Sequence, residues 1–202
     1  EWDGSSWAAL GSGMNYNVYA LTAFDDVSGL AALFAGGNFT AIDSGDSNLA
    51  KWGCPVTASG TVYCTAGTTT NGCVPAISGT GNASASAGSG FTISVADVEG
   101  QKASLLFYGV TGAKAAPWGA GTSYLCIEAP LKRMSNQSSG GTAGACDGVF
   151  SEDWNAYIAA HPDALSQPFA GGESVWAQGW FRDPPAPKST NLSDALVFQL
   201  LP

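Results

Sequence analysis

The sequence predicts an all-β protein with one short helix, a small N-terminal sheet and a larger, disulfide-bonded sandwich of jelly-roll kind. Three observations predict this. Apolar residues fall in short alternating runs, as where Phe91, Ile93 and Val95 interleave with Thr92, Ser94 and Ala96, the period of a half-buried strand. Clusters of Gly, Ser, Asn and Asp cut these runs apart at intervals typical of an antiparallel sandwich. The five cysteines share the chain with a single histidine and form no Cys-x-x-Cys pair, which suits disulfides better than zinc.

Composition narrows the setting. The 202 residues suffice for one large β domain or two small ones. Only 11% are charged, about half the usual fraction of roughly a quarter, so Ser, Thr, Asn and Gly must carry solubility. With the cysteines, this predicts an exported protein, extracellular or at the cell surface. Seven basic residues against sixteen acidic give −9, which repels phosphate backbones and anionic lipid headgroups. Nucleic acid and membrane are therefore not expected partners, and no apolar stretch approaches the roughly 20 residues of a spanning helix. The chain opens at Glu1 without a signal peptide's basic and apolar regions, so it is expected to be a processed product or a piece of something longer. Sequons at Asn38, Asn82, Asn136 and Asn191 are compatible with glycosylation.

The elements follow in order. Trp7 to Leu10 reads as a short strand closed by Gly11-Ser12-Gly13. Val18 to Phe24 is β-rich and stops at Asp25-Asp26, with Ser28-Gly29 completing a hairpin turn. Leu30 to Ala35 is a continuous apolar run, expected as a strand buried on both faces and broken by Gly36-Gly37. Leu49 to Trp52 supplies a fourth strand. Lys51-Trp52-Gly53 also repeats the Trp2-Asp3-Gly4 opening at a period near that of a kelch blade.

In order, Trp-Asp-Gly-x-x-Trp-x-x-Leu-Gly, Val-Tyr-Ala-Leu, Phe-Asp-Asp, Gly-Gly-Asn-Phe-Thr and Asn-Leu-Ala-Lys-Trp resemble one blade of the tandem kelch-like repeats of large exported bacterial surface proteins. The resemblance covers residues 1–53 and implies a four-stranded propeller-blade-like sheet. A lone blade must cover its faces with other parts of the chain, other blades or another subunit.

Residues 54–90 are Gly-, Ser- and Thr-rich and hold Cys54, Cys64 and Cys73; they are read as a connector, disordered or extended. The sandwich is placed over 91–202. Leu105 to Tyr108 and Tyr124 to Ile127 read as buried strands, Val175 to Phe181 and Ala195 to Leu200 as the closing ones, with Leu196, Phe198 and Leu200 on one face. Ser151 is expected to cap a short helix with Glu152 and Asp153 in its first turn, Trp154, Tyr157 and Ile158 on one face, and His161-Pro162 at its end.

This half resembles a C-terminal module of exported bacterial proteins through Tyr-Cys and Gly-Cys, Ser-Ala-Gly-Ser-Gly-Phe-Thr-Ile, Leu-Leu-Phe-Tyr-Gly, Leu-Cys-Ile, Cys-Asp-Gly, Gln-Gly-Trp-Phe-Arg-Asp-Pro and Leu-Ser-Asp-Ala-Leu-Val-Phe. The resemblance covers residues 62–202. It implies an all-β extracellular domain with bridges Cys64–Cys73 and Cys126–Cys146, and carries no activity. Cys54 departs from its pattern and is read as a buried free thiol or an intermolecular bridge.

Catalytic machinery is hard to assemble from these residues. His161 precedes a proline at a helix end without a Gly-x-Ser-x-Gly elbow. Asp25-Asp26 and Glu152-Asp153 are explained by a hairpin tip and a helix start, and Arg182-Asp183-Pro184 by an ion pair and turn. No cofactor is expected. Structural calcium is the metal the chain suits best, on Asp25, Asp26, Asp43 and Asp46 in acidic turns.

Among the seven tryptophans, Trp118 lies in a loop between Pro117 and Gly119. Trp176 and Trp180 share one side of a strand with Gln178 between them, a glycan-binding face or an interface if they are not core. The expectation is a non-enzymatic structural subunit that assembles with copies of itself or with a surface protein, even into filaments. The alternative is a carbohydrate-binding or adhesive module of a larger protein. A secreted hydrolase comes third.

Overall fold

The computed structural model describes residues 15–25, 31–40, 47–53, 60–119 and 122–202. The fold is all-β with one short helix, and the chain divides into two compact units, Glu1–Val56 and Thr57–Pro202.

In the first unit, β1 (Asn17–Asp25), β2 (Ala31–Thr40) and β3 (Ser47–Gly53) form an antiparallel meander in the order β1-β2-β3. Gly36-Gly37 does not end β2 as expected. Both glycines stay in the ladder, Gly36 opposite Ala20 and Leu49, Gly37 opposite Val18, with an irregularity between Val18 and Ala20 that absorbs the kink. Nor is β2 enclosed on both faces: Ala35 and Phe39 pack with Ala50, while Leu33 and Phe34 are half-buried. The expected strand at Trp7 to Leu10 and the turn at Asp26 to Gly29 lie outside the described residues.

The second unit is a sandwich. Its larger sheet runs β10 (Lys132–Ser138), β7 (Ala103–Gly109), β12 (Ser174–Arg182), β13 (Thr190–Gln199), β4 (Thr61–Tyr63). The smaller runs β11 (Gly148–Asp153), β6 (Phe91–Val98), β5 (Ala76–Gly81). Between them Phe91, Ile93 and Val95 of β6 meet Leu106 and Tyr108 of β7, Ala177 and Phe181 of β12, and Leu196 and Phe198 of β13. Each large side chain so enclosed contributes about 1.5–3 kcal/mol. Regular alternation along β12 turns Gly179 toward the smaller sheet, where a Cβ would sit 2.7 Å from Val95 Cγ2 and 3.0 Å from Phe150. Only glycine lets the sheets close there.

Residues 60–90 are part of this sandwich and not a connector. β4 pairs with β13 and β5 with β6, so the domain begins near Thr57 instead of Phe91. Their small residues hid them, since in β5 only Ile77 is both apolar and buried.

The helix α1 (Trp154–Ala160) starts later than expected. Ser151 and Glu152 remain in the β11 ladder opposite Ser94 and Ile93, and Asp153 is the cap, its carboxylate accepting the Ala156 N–H at 3.0 Å. Trp154, Tyr157 and Ile158 are buried as the spacing requires. The Trp154 ring meets Tyr108, Phe198 and Phe169 edge-on at 4.7, 5.3 and 5.6 Å.

All four cysteines beyond Cys54 are bridged, but crosswise to the pairing the resemblance implied: Cys64 with Cys126 and Cys73 with Cys146. Topology overrides proximity in sequence. Cys64 follows the edge strand β4 and comes beside residue 126, whose carbonyl accepts the Tyr63 hydroxyl at 2.8 Å. The bridges span 62 and 73 residues, loops long enough for about 4 kcal/mol each in the chain-entropy description. Cys54 lies outside the described residues.

The open sides of the sandwich are engaged. Glu152 accepts from the Ser135 hydroxyl and N–H, joining β11 to β10, and Val149 N–H reaches Ser139 O at 2.6 Å. On the other side the Ile77 N–H donates to Asp194 Oδ1 at 2.7 Å.

Candidate ligand groove

The outer face of the larger sheet is where the sequence's aromatic candidates meet. On β12 the side chains that turn from the core are Trp176, Gln178 and Trp180. Over them lies a hairpin of β8 (Ala113–Pro117) and β9 (Tyr124–Ile127). Gln178, 0% exposed, pins it: Nε2 donates to Tyr124 O (2.8 Å) and Ser193 O (2.7 Å), and Oε1 accepts the Cys126 N–H (3.0 Å). Its amide is thus spoken for, as a buried amide must be. The Cys64–Cys126 bridge fixes the same strand.

The hairpin covers only part of the face. Beneath it Leu105, Phe107, Ile127 and Leu192 form a second apolar cluster, with Trp118, Leu125, Trp176 and Trp180 half-buried against it. Beside it opens a groove of about 550 Å³, floored by Leu105, Phe107 and Leu192, walled by Trp118 and Trp180, and rimmed by Arg133 and Lys188. The size and the apolar lining with few polar groups suit a small-molecule or oligomer site.

Trp118 is held at both ends. Its backbone N–H closes the hairpin on Ser123 O at 2.8 Å, and its indole N–H donates to Thr190 Oγ1 at 3.0 Å. The Lys188 ammonium sits 4.0 Å from its ring centroid, and the Arg182 guanidinium 5.8 Å from that of Trp180, both within cation–π range. Gly119 makes room for the lysine stem: it has φ +73°, and a Cβ there would meet Lys188 Cγ at 3.1 Å.

The sequence's candidates are thus sorted. Trp118 and Trp180 share the groove, and the loop residue Trp118 is half-buried there. Trp176 opens on a separate hollow of about 280 Å³ with Phe169 and Glu173. Arg182 and Asp183 do not form the expected ion pair, because successive residues leave the strand on opposite sides. Arg182 is exposed over Trp180. Asp183 is 1% exposed, and its Oδ2 accepts from Thr70 N–H (3.1 Å) and Asn191 Nδ2 (3.4 Å). It anchors the loop before Cys73. Asn191 is buried, its amide also bonded to Thr68 O at 3.0 Å, and is closed to a glycan. Asn38, Asn82 and Asn136 are exposed.

The acid–base candidates have structural occupations. His161 Nδ1–H donates to Tyr157 O at 2.7 Å and its ring stacks on Tyr157. Asp153 caps α1 with one oxygen and accepts Gly90 N–H at 2.8 Å with the other. Burial pushes the Asp194 carboxyl above the usual carboxylate range, against the pull of the Ile77 hydrogen bond, whereas hydrogen bonds from Thr142 hold Asp147 below it. Of the calcium candidates, Asp26, Asp43 and Asp46 lie outside the described residues, and Asp25 ends β1 with its side chain undescribed. Among the described residues no three His, Cys, Asp or Glu gather as a metal site, and no helix is long and apolar enough to cross a membrane.

Leu131 and Arg133, at the start of β10, and Lys188, in the loop after β12, were missed in the sequence because both segments are distant in the chain from Trp118 or carry no aromatic signal of their own. Comparison of the chain with models of protein families, with curated proteins and with solved structures finds no match.

Proposed function

We propose that the chain is a non-enzymatic extracellular binding module whose sandwich takes a carbohydrate along the outer groove. The observation that carries this reading is the pairing of Trp118 and Trp180 in one open, largely apolar groove rimmed by Arg133 and Lys188. Indole faces suit the C–H faces of sugar rings, and a few polar groups at the edge orient the hydroxyls. The disulfides are compatible with an extracellular setting. A glycan panel read by tryptophan fluorescence tests it. A binding sugar quenches the wild type, and the response disappears in Trp118→Ala and Trp180→Ala. Silence across a broad panel refutes the reading.

A second reading, the self-assembling subunit, is favoured by the N-terminal sheet, where Tyr19 is 71% and Leu21 63% exposed. That sheet's edge strands β1 and β3 are where strand addition by another copy would fall. Light scattering after size exclusion decides it: defined oligomers or polymers favour assembly, and a monomer at high concentration removes it.

A further inference from the structure

We infer that the groove is built for an acidic sugar chain, one carrying carboxylates as a polyuronate does; this rests on the carbohydrate reading above. The chain holds sixteen acidic residues against seven basic, yet the groove reverses that balance. Among the described residues Arg133 and Lys188 line it, and no Asp or Glu does. Arg182, over the Trp180 ring, adds a third cation beside the same wall. A scatter of charges in a chain of net −9 would put acids there first.

These cations are also free to act. Neither Arg133 nor Lys188 has a carboxylate partner among the described residues, where the ion pair formed is Lys102–Glu99 at 3.0 Å. An exposed guanidinium presents a planar fork matched to a carboxylate, and such charge-assisted bonds are roughly twice as strong as neutral ones. Lys188 rests on the face of Trp118, a contact of about 0.5–1 kcal/mol at an exposed site. A ligand carboxylate draws the ammonium off the indole and uncovers the ring for the sugar that carries it. The net charge opposes this only at long range, and salt screens it beyond about 8 Å at physiological ionic strength.

Isothermal titration at physiological salt with a galacturonate oligomer, a neutral galactose oligomer of equal length, and poly-glutamate separates the contributions. The acidic sugar is expected to bind about tenfold more tightly than the neutral one, the worth of one charge-assisted hydrogen bond. Arg133→Gln and Lys188→Gln, both surface changes, should each lower that affinity about fivefold or more and so narrow the acidic sugar's advantage over the neutral one. The inference is overturned if the neutral oligomer binds as well as the acidic one, if neither variant matters, or if poly-glutamate binds equally. Neutral binding alone overturns the inference and leaves the carbohydrate reading standing; binding by neither sugar overturns the inference and leaves the carbohydrate reading to the glycan panel.

Discussion

The two faces of the larger sheet are made by the same strands and finished differently. On β12, Val175, Ala177 and Phe181 turn inward and are fully enclosed against the smaller sheet. Trp176, Gln178 and Trp180 turn outward, and only Gln178 is completely covered. On β12 the inward side chains are all buried. The outer face leaves two indoles open, yet fixes the boundary of the opening with a disulfide, a fully bonded amide and the Tyr63 hydroxyl. Rigid framing around an unfilled apolar groove is the arrangement a preorganised binding site needs, because it lowers the ordering cost on association.

Large-to-small changes on the two faces sharpen this contrast most. Phe181→Ala empties a closed core and is expected to cost about 3–5 kcal/mol in urea unfolding. Trp180→Ala removes a half-buried ring, costs about 2 kcal/mol, and abolishes the ligand response that Phe181→Ala leaves in its folded fraction. Equal stability losses would break the comparison.

Gln178→Leu comes next. It keeps the volume but strips partners from Tyr124 O, Ser193 O and the Cys126 N–H. Leaving such groups unpaired costs about 1–3 kcal/mol apiece before relaxation. Amide hydrogen exchange should quicken in the β8–β9 hairpin ahead of the core strands β6 and β7; uniform acceleration would mean that the amide does not act on the hairpin.

Asp194→Asn gives the smallest effect. Burial raises the folded-state pKa of Asp194 above its ordinary 3.8, so the folded chain holds that proton more tightly than the unfolded one. The resulting contribution to stability is complete below the unfolded value and is lost as pH rises through the folded one. Asparagine retains the acceptor for Ile77 N–H without the charge. A small stabilisation at pH 7 that fades toward acid is expected from urea midpoints, and a gain independent of pH would contradict the burial argument.

Much of the sandwich was legible because its cues are local. Phe91, Ile93 and Val95, the run at Leu105 to Tyr108, and the face of Leu196, Phe198 and Leu200 gave strands directly. Trp154, Tyr157 and Ile158 gave the buried helix face. What failed depends on partners distant in the chain. The small residues of β5 look like a linker until β6 lies beside them. Cys64 and Cys73 look like partners until β9 and the loop before β11 arrive. The groove was half legible, since Trp118 and Trp180 are conspicuous, whereas Arg133 comes beside them only by pairing across β10, β7 and β12, and Lys188 only through the loop between β12 and β13.

The most direct measurement is a sugar titration followed through the indole N–H signals of isotopically labelled protein, assigned by single Trp→Phe changes. Binding in the groove moves the signals of Trp118 and Trp180 and leaves that of Trp154, 0% exposed in the core, where it was. Shifts confined to other indoles, or none at all with a sugar that binds, would contradict the placement of the site on the outer face.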